Sequence, residues 1–267
     1  MSQHVFFAHA NGFPSATYGK LFAALAPEYA VAHLPQHGHD PRFPVDDNWQ
    51  NLVDELIHHL EQQPEPVWGV GHSLGGVLHL HAAMRCPQLY RGVVMLDSPV
   101  LTLADRWVIR AAKRFGFIDR LTPAGRTLGR REEFADLAAA RQYFAGKTLF
   151  RGFDPECFDA YLQHGLEPLG DRLRLRFGPA TEISIYRGVP HTSPGQVRQL
   201  KVPLAVVRGR QSRVVMRHHA SGVGRLPMGE MLTMPGGHMF PLERPQDTAT
   251  LIKNLFSRWE ARERNCA

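Results

Sequence analysis

Six short apolar runs, bounded by polar or glycine-rich residues and separated by helical patterns, limit most tightly what this chain can fold into. They cover residues 4–8, 30–34, 66–70, 92–96, 203–207 and 231–234. Residues 18–25, 46–62 and 74–84 read as helices between them, and 248–262 as a closing helix. In the second of these, Leu52, Leu56 and Leu60 recur at helical spacing. Near-continuous apolar strands alternating with helices predict an α/β fold, with a mainly parallel sheet of about six strands covered by helices on both faces. Such sheets carry their working loops at the C-terminal ends of the strands. The polar punctuation falls there: His9-Ala10-Asn11-Gly12, His37-Gly38-His39-Asp40, Gly71-His72-Ser73, Asp97-Ser98-Pro99 and Gly236-Gly237-His238.

The alternation stops between residues 98 and 200. That interval holds helical patterns, such as Leu103, Trp107, Ala111 and Phe115, and a helix start at Asp154-Pro155-Glu156. It also holds a period-two stretch in which Leu173, Leu175 and Phe177 alternate with Arg172, Arg174 and Arg176. We read residues 98–200 as a mostly helical cap inserted into a core made of 1–97 and 201–267. The alternative is further sheet.

Gly71-His72-Ser73-Leu74-Gly75 fits G-x-S-x-G, with a strand before the serine and a helix directly after it. That turn lifts a hydroxyl above the sheet, and the flanking glycines relieve its crowding. The helix N-terminus favours negative charge developing beside it. A serine needs a base, and His238, in a glycine loop after the last predicted strand, is the candidate. Two backbone N–H groups must meet the developing oxyanion. The amide of Leu74 supplies one, and that of Asn11, in the loop after the first strand, is chosen for the second.

At these residues the chain resembles the α/β-hydrolase superfamily, in its capped, lipase/esterase-like branch. The matching stretches are His9-Ala10-Asn11-Gly12, Leu34-Pro35-Gln36-His37-Gly38-His39, Gly71-His72-Ser73-Leu74-Gly75-Gly76, and Gly237-His238 with Glu243-Arg244-Pro245. The resemblance implies a serine-based hydrolase that needs no cofactor. Two departures stand out. The family usually places its acid in G-x-x-D after the strand that follows the cap, but here Gly209-Arg210-Gln211-Ser212 puts Ser212 at that position. Some members carry the acid at the end of the earlier strand, which makes Asp97 the expected partner of His238. The alternative is that Asp97 only caps the start of the insert and a weakened dyad operates. The second departure is at the beginning: the first strand starts near residue 4, so the antiparallel strands that usually precede it have no room and a six-stranded core is expected.

Composition closes off other classes. Hydrophobic residues are 43% and charged residues 21%, which is globular. No apolar run approaches the ~20 residues of a membrane helix, and the start at Met1-Ser2-Gln3-His4, with no basic n-region, leads us to expect no secretory signal. Cys86, Cys157 and Cys266 form no C-x-x-C pair, so a reducing cytoplasm is expected. Fifteen histidines invite a metal. Yet His37-Gly38-His39-Asp40 has its aspartate one position too close, and His58-His59, His79 with His81, and His218-His219 should point to different helix faces. No metal is expected, and no nucleotide-binding or nucleic-acid motif is present. The net charge of +6 concentrates in the cap, at Arg106, Arg110, Lys113, Arg114, Arg120, Arg126, Arg130 and Arg131. Solvated helix faces explain it plainly; attraction of an anionic substrate or an acidic acyl carrier is the sharper reading.

The expected function is a carboxylic ester hydrolase with Ser73 as nucleophile, His238 as base and Asp97 as acid. Its substrate is a small-molecule ester whose apolar acyl or alcohol group meets Trp107, Phe115, Phe117, Phe144, Phe150 and Phe153. Thioester or C–C bond hydrolysis suits the same machinery, and a non-enzymatic ligand receptor is the rival from another class.

Overall fold

Strands buried on both faces have no polar side to present, and the middle of the sheet is built from these. In the computed structural model, which describes residues 3–26, 28–224, 226 and 228–266, β1 (Gln3–Ala8), β2 (Tyr29–His33), β3 (Val67–His72) and β4 (Tyr90–Leu96) precede the insert. The insert holds β5 (Glu133–Phe134), β6 (Leu166–Leu169) and β7 (Arg172–Leu175); β8 (Leu204–Gly209) and β9 (Gly229–Met234) follow it. The six core strands run parallel in the order β2-β1-β3-β4-β8-β9. Alternate residues serve opposite faces. Val5, Phe7, Val70 and Val94 pack with Leu21, Ile252, Phe256 and Trp259, from the helices Gly19–Leu25 and Pro245–Cys266. Phe6, Val93, Met95 and Val206 pack with Leu52, Leu56, Leu78 and Ala82, from Gln50–Leu60 and Leu74–Arg85. Each fully buried large apolar side chain contributes ~1.5–3 kcal/mol relative to exposure. Among the described residues no helix is long and apolar enough to cross a membrane.

The segment between β4 and β8 carries helices at Leu103–Arg114, Ile118–Leu121, Ala124–Thr127, Leu137–Ala145, Pro155–His164 and Pro179–Arg187. Asp154 caps the fifth of these by accepting from Glu156 N at 3.0 Å, as the sequence implies. The period-two stretch forms β7, which pairs antiparallel with both β5 and β6. Gly170, at φ 60°, sits in the β6–β7 turn, where a left-handed residue is needed. Leu175 is buried while Arg172 and Arg174 are exposed.

The aromatic residues of the insert divide. Phe144, Phe150 and Phe153 are buried, and the Phe150 ring packs at a tilt against Tyr161, with centroids 4.8 Å apart, and against Phe13, at 6.0 Å. Trp107, Phe115 and Phe117 are 67%, 75% and 38% exposed and line no interior. The reason lies in the helix Leu103–Arg114, whose buried stripe is Ile109 and Ala112 rather than Leu103 and Trp107. The insert's cations are also less available than their number suggests. Lys113, Arg130, Arg141, Arg172, Arg174 and Arg187 each meet a carboxylate. Cys86 and Cys157 are free thiols; the side chain of Cys266, like residues 1 and 2, lies outside the described residues.

Candidate active site

Ser73 occupies the single residue between β3 and the helix Leu74–Arg85, at φ 52° and ψ −111°. For a residue with a Cβ this is strained backbone, costing ~1–3 kcal/mol. Close packing holds it there. A Cβ on Gly75 would fall 2.0 Å from the carbonyl oxygen of Ala8, and one on Gly71 would fall 2.3 Å from Gly75. Only glycine lets the helix start press this closely on β1 and β3. Ser73 N donates to Leu96 O at 2.9 Å, tying the turn to the end of β4. The hydroxyl thus stands at the N-terminus of a 12-residue helix, where the dipole favours negative charge.

Asp97 directly follows β4 and is fully buried, at φ 45°. Its amide donates to Val207 O at 2.7 Å. Oδ1 accepts from Gly209 N at 2.9 Å, and Oδ2 lies 2.7 Å from His238 Nδ1. Oδ2 also accepts a short hydrogen bond from the Ser212 hydroxyl. Ser212 therefore donates to the carboxylate instead of supplying one. β4 and β8 are paired neighbours, with Leu96 opposite Val207. A side chain following either strand reaches the same place, so the acid after β4 and the hydroxyl after β8 meet. With Nδ1 turned to Asp97, the ring keeps Nε2 for another partner.

The His238 loop is fixed from several sides. Gly236, at φ 122°, donates to Gln211 Oε1 at 2.8 Å, and Gln211 N donates back to Gly236 O at 3.0 Å. Gly237 N donates to Glu243 Oε2 at 2.9 Å. His72, the variable residue of G-x-S-x-G, adds a tie the sequence did not single out. Its Nε2 donates to the backbone oxygen of His238 at 2.9 Å, while Nδ1 accepts from the Tyr18 hydroxyl at 2.7 Å. Burial, then the nearby His238, holds the His72 imidazole well below its ordinary pKa, in keeping with one N–H and one acceptor. Tyr18 in turn accepts from Ala10 N at 3.3 Å. One chain of bonds thus links the loop after β1, the Ser73 turn and the His238 loop. No motif marks Tyr18, 54 positions from its partner.

In the loop after β1, Phe13 N closes a turn on Ala10 O at 3.1 Å. The amides of Asn11 and Leu74 are used in no turn or cap hydrogen bond. The Asn11 side chain donates to Glu182 O at 3.0 Å, which anchors this loop to the insert. His9 accepts from His37 N at 2.8 Å and donates to Ala10 O. Burial, then His37, keeps it uncharged.

The sequence's His37-Gly38-His39-Asp40 cluster does not converge. His37 turns to Glu55, His39 to His37 O, and Asp40 to Arg42. Contrary to expectation, His218 and His219 do converge: each places Nε2 3.1 Å from one oxygen of Asp105. Neighbours on a helix diverge by ~100°, but Asp105 offers two oxygens and takes one ring on each. With Asp105 they form the three-residue group among the described residues whose spacing could hold a metal ion. His219 Nδ1 accepts from Met216 N at 3.1 Å, which leaves its proton on Nε2 facing Asp105. The arrangement is that of a hydrogen-bonded pair rather than a prepared metal site. A broad cleft of about 390 Å³ lies elsewhere, lined by Leu232, Asp247, Leu251 and Arg258.

The sequence profile of the alpha/beta hydrolase family matches residues 5–251. The chain belongs to the alpha/beta hydrolase family. Among solved structures, this alpha/beta hydrolase resembles that of E-2-(acetamidomethylene)succinate hydrolase, with a TM-score of 0.74 at 24% identity over 96% of this chain and 91% of the other. That likeness speaks for the fold alone. The chain is 24% identical over 220 residues to the type I acyl-CoA thioesterase mpaH of Penicillium brevicompactum, covering 72% of this chain and 49% of that protein. It thus spans about half the length of that relative. A shorter match, 35% over 98 residues and 36% of each chain, is to the pimeloyl-[acyl-carrier protein] methyl ester esterase of Shewanella woodyi.

Proposed function

We propose that this alpha/beta hydrolase is a serine hydrolase that cleaves carboxylic esters through an acyl-enzyme. The observation that carries the reading is His238 held at 2.7 Å by buried Asp97, with its backbone tied through His72 to the strained turn that carries Ser73. Ser73 Oγ attacks the carbonyl carbon and its proton passes to His238 Nε2. Asp97 stabilises the imidazolium that forms, with Gly209 N–H and the Ser212 hydroxyl keeping its carboxylate in place. The carbonyl oxygen becomes an oxyanion between the amides of Leu74 and Asn11, each worth ~3 kcal/mol in such sites. His238 protonates the leaving alcohol. It then takes a proton from water, which attacks the acyl-enzyme and releases the acid and Ser73. The scheme needs no cofactor. Ser212 donating to Asp97 argues against the receptor reading, whose support was the missing acid at that position.

Residues 98–200 serve as the cap in this reading. Phe13, of the oxyanion loop, packs with Phe150, Phe153 and Tyr161 of the insert, which favours a substrate with an apolar acyl or alcohol group. The similarity to a protein named acyl-CoA thioesterase favours a second reading, thioester hydrolysis, in which a thiol leaves instead of an alcohol. Exposed Arg110 and Arg114 would then draw an anionic substrate or an acidic acyl carrier. A reducing cytoplasm fits the free Cys86 and Cys157 thiols. The test is turnover of p-nitrophenyl esters and acyl-CoA thioesters of increasing chain length, at two salt concentrations. Ester turnover that grows with chain length and vanishes in Ser73→Ala supports the first reading. Preference for the thioesters, with kcat/KM falling steeply in salt, supports the second. Absence of turnover on both series contradicts both.

A further inference from the structure

Glu182 is a buried carboxylate that the mechanism above leaves unused, and it lies against the oxyanion loop. It sits in the first turn of the helix Pro179–Arg187 and is 4% exposed. Its backbone oxygen accepts from Asn11 Nδ2 at 3.0 Å. Its carboxylate occupies the space beside Gly12, which has φ +82°; a Cβ there would come within 3.0 Å of Oε2. One residue of the insert therefore holds both Asn11 and Gly12. The carboxylate itself is gripped by Arg130. Nη1 donates to Oε1 at 3.2 Å and Nη2 makes a short hydrogen bond to Oε2, while the Thr127 hydroxyl donates to Oε1 at 3.3 Å.

A lone negative charge in this position would oppose the oxyanion that the Asn11 amide is to stabilise, because the repulsion is weakly screened in a buried site. Its desolvation would also be uncompensated. Resting on the assignment of Asn11 to the oxyanion hole, we propose that Glu182 and Arg130 are a positioning pair for that hole. Glu182 fixes the loop in place, and Arg130 cancels the charge Glu182 would otherwise set beside the reacting oxygen. The guanidinium suits this role because it stays charged at every working pH and binds a carboxylate through two parallel N–H groups.

The test compares Arg130→Met, Glu182→Gln and the double variant in the full chain, measuring kcat and KM separately on a chromogenic ester at one pH. Arg130→Met should lose kcat by about 10²-fold, the scale of one oxyanion donor, with KM nearly unchanged. The double variant should recover roughly tenfold or more of the loss, since no charge is left. If Arg130→Met does not fold, a double variant that folds and keeps kcat within tenfold of the unaltered protein supports the pair; a larger loss overturns it. Losses that multiply in the double variant, or an effect confined to KM, would overturn the proposal; the latter would make Arg130 a substrate-binding residue. An unaltered protein whose ester turnover is absent, or survives Ser73→Ala, would instead overturn the hydrolase reading beneath it.

Discussion

Two buried carboxylates flank the candidate site, and they are neutralised in different ways. Asp97, behind His238, is held by a backbone N–H, a serine hydroxyl and an imidazole. Glu182, in front of Asn11, is held by an arginine and a threonine. Among the described residues Asp97 meets no arginine or lysine, so in the proposed mechanism its charge is available to the imidazolium formed on His238 during turnover. The charge of Glu182 is matched at all times, so it contributes position without field. A carboxylate's part in such a site follows from whether its counter-charge is permanent or transient.

Substitutions that remove one charge at a time probe this difference most strongly. Asp97→Asn should lower kcat on the order of 10⁴-fold with KM little changed, because the ring loses its orienting acid. Glu182→Gln, which keeps the backbone bond to Asn11, should cost less than tenfold. Equal losses would erase the distinction. A carboxylate moved to position 212 sharpens it. Since Ser212 already bonds the oxygen that faces His238, Ser212→Asp in an Asp97→Ala background should recover tenfold or more over Asp97→Ala alone in ester kinetics.

Stability should separate the two carboxylates in the opposite sense. Arg130→Met strands a buried charge and should lower unfolding free energy by ~3–5 kcal/mol in urea titration. Ser212→Ala removes one donor of three from Asp97 and should cost ~1.5–3 kcal/mol.

A smaller effect comes from acid. Burial lowers the His79 imidazole to about 3 and His81 to about 4, and holds His9 and His72 well below the ordinary value. These rings stay neutral in the folded chain, while in the unfolded chain they protonate below about pH 6.5. Their contribution is complete above that pH and is lost as pH falls towards the folded-state values, at up to ~1.4 kcal/mol per ring per pH unit. Tm should therefore fall between pH 7 and pH 5, and His81→Gln should flatten the fall.

The sheet was legible because strands covered on both faces cannot hide their composition: Val93-Val94-Met95-Leu96 and Leu204-Ala205-Val206-Val207 are unbroken apolar runs. The Ser73 turn was legible because its backbone admits glycine alone at Gly71 and Gly75. Asp97 could be picked out by its place after a strand, although Ser212 broke the usual pattern. His72, Tyr18, Arg130 and Glu182 were not legible as parts of the site. Their bonds join residues 52 to 171 positions apart, and no local pattern specifies such pairs. The aromatic residues of the insert misled for a related reason. Spacing shows that Leu103 and Trp107 share a helix face, but only packing decides that Ile109 and Ala112 face inward.

In the proposed mechanism Ser73, activated by His238 and Asp97, is the nucleophile. Labelling of the folded chain with a fluorophosphonate, read by intact mass and peptide mapping, tests it most directly. The account predicts a single adduct on Ser73, absent in Ser73→Ala and slowed by orders of magnitude in Asp97→Asn. A folded chain that stays unlabelled, or an adduct that persists in Ser73→Ala, would contradict it.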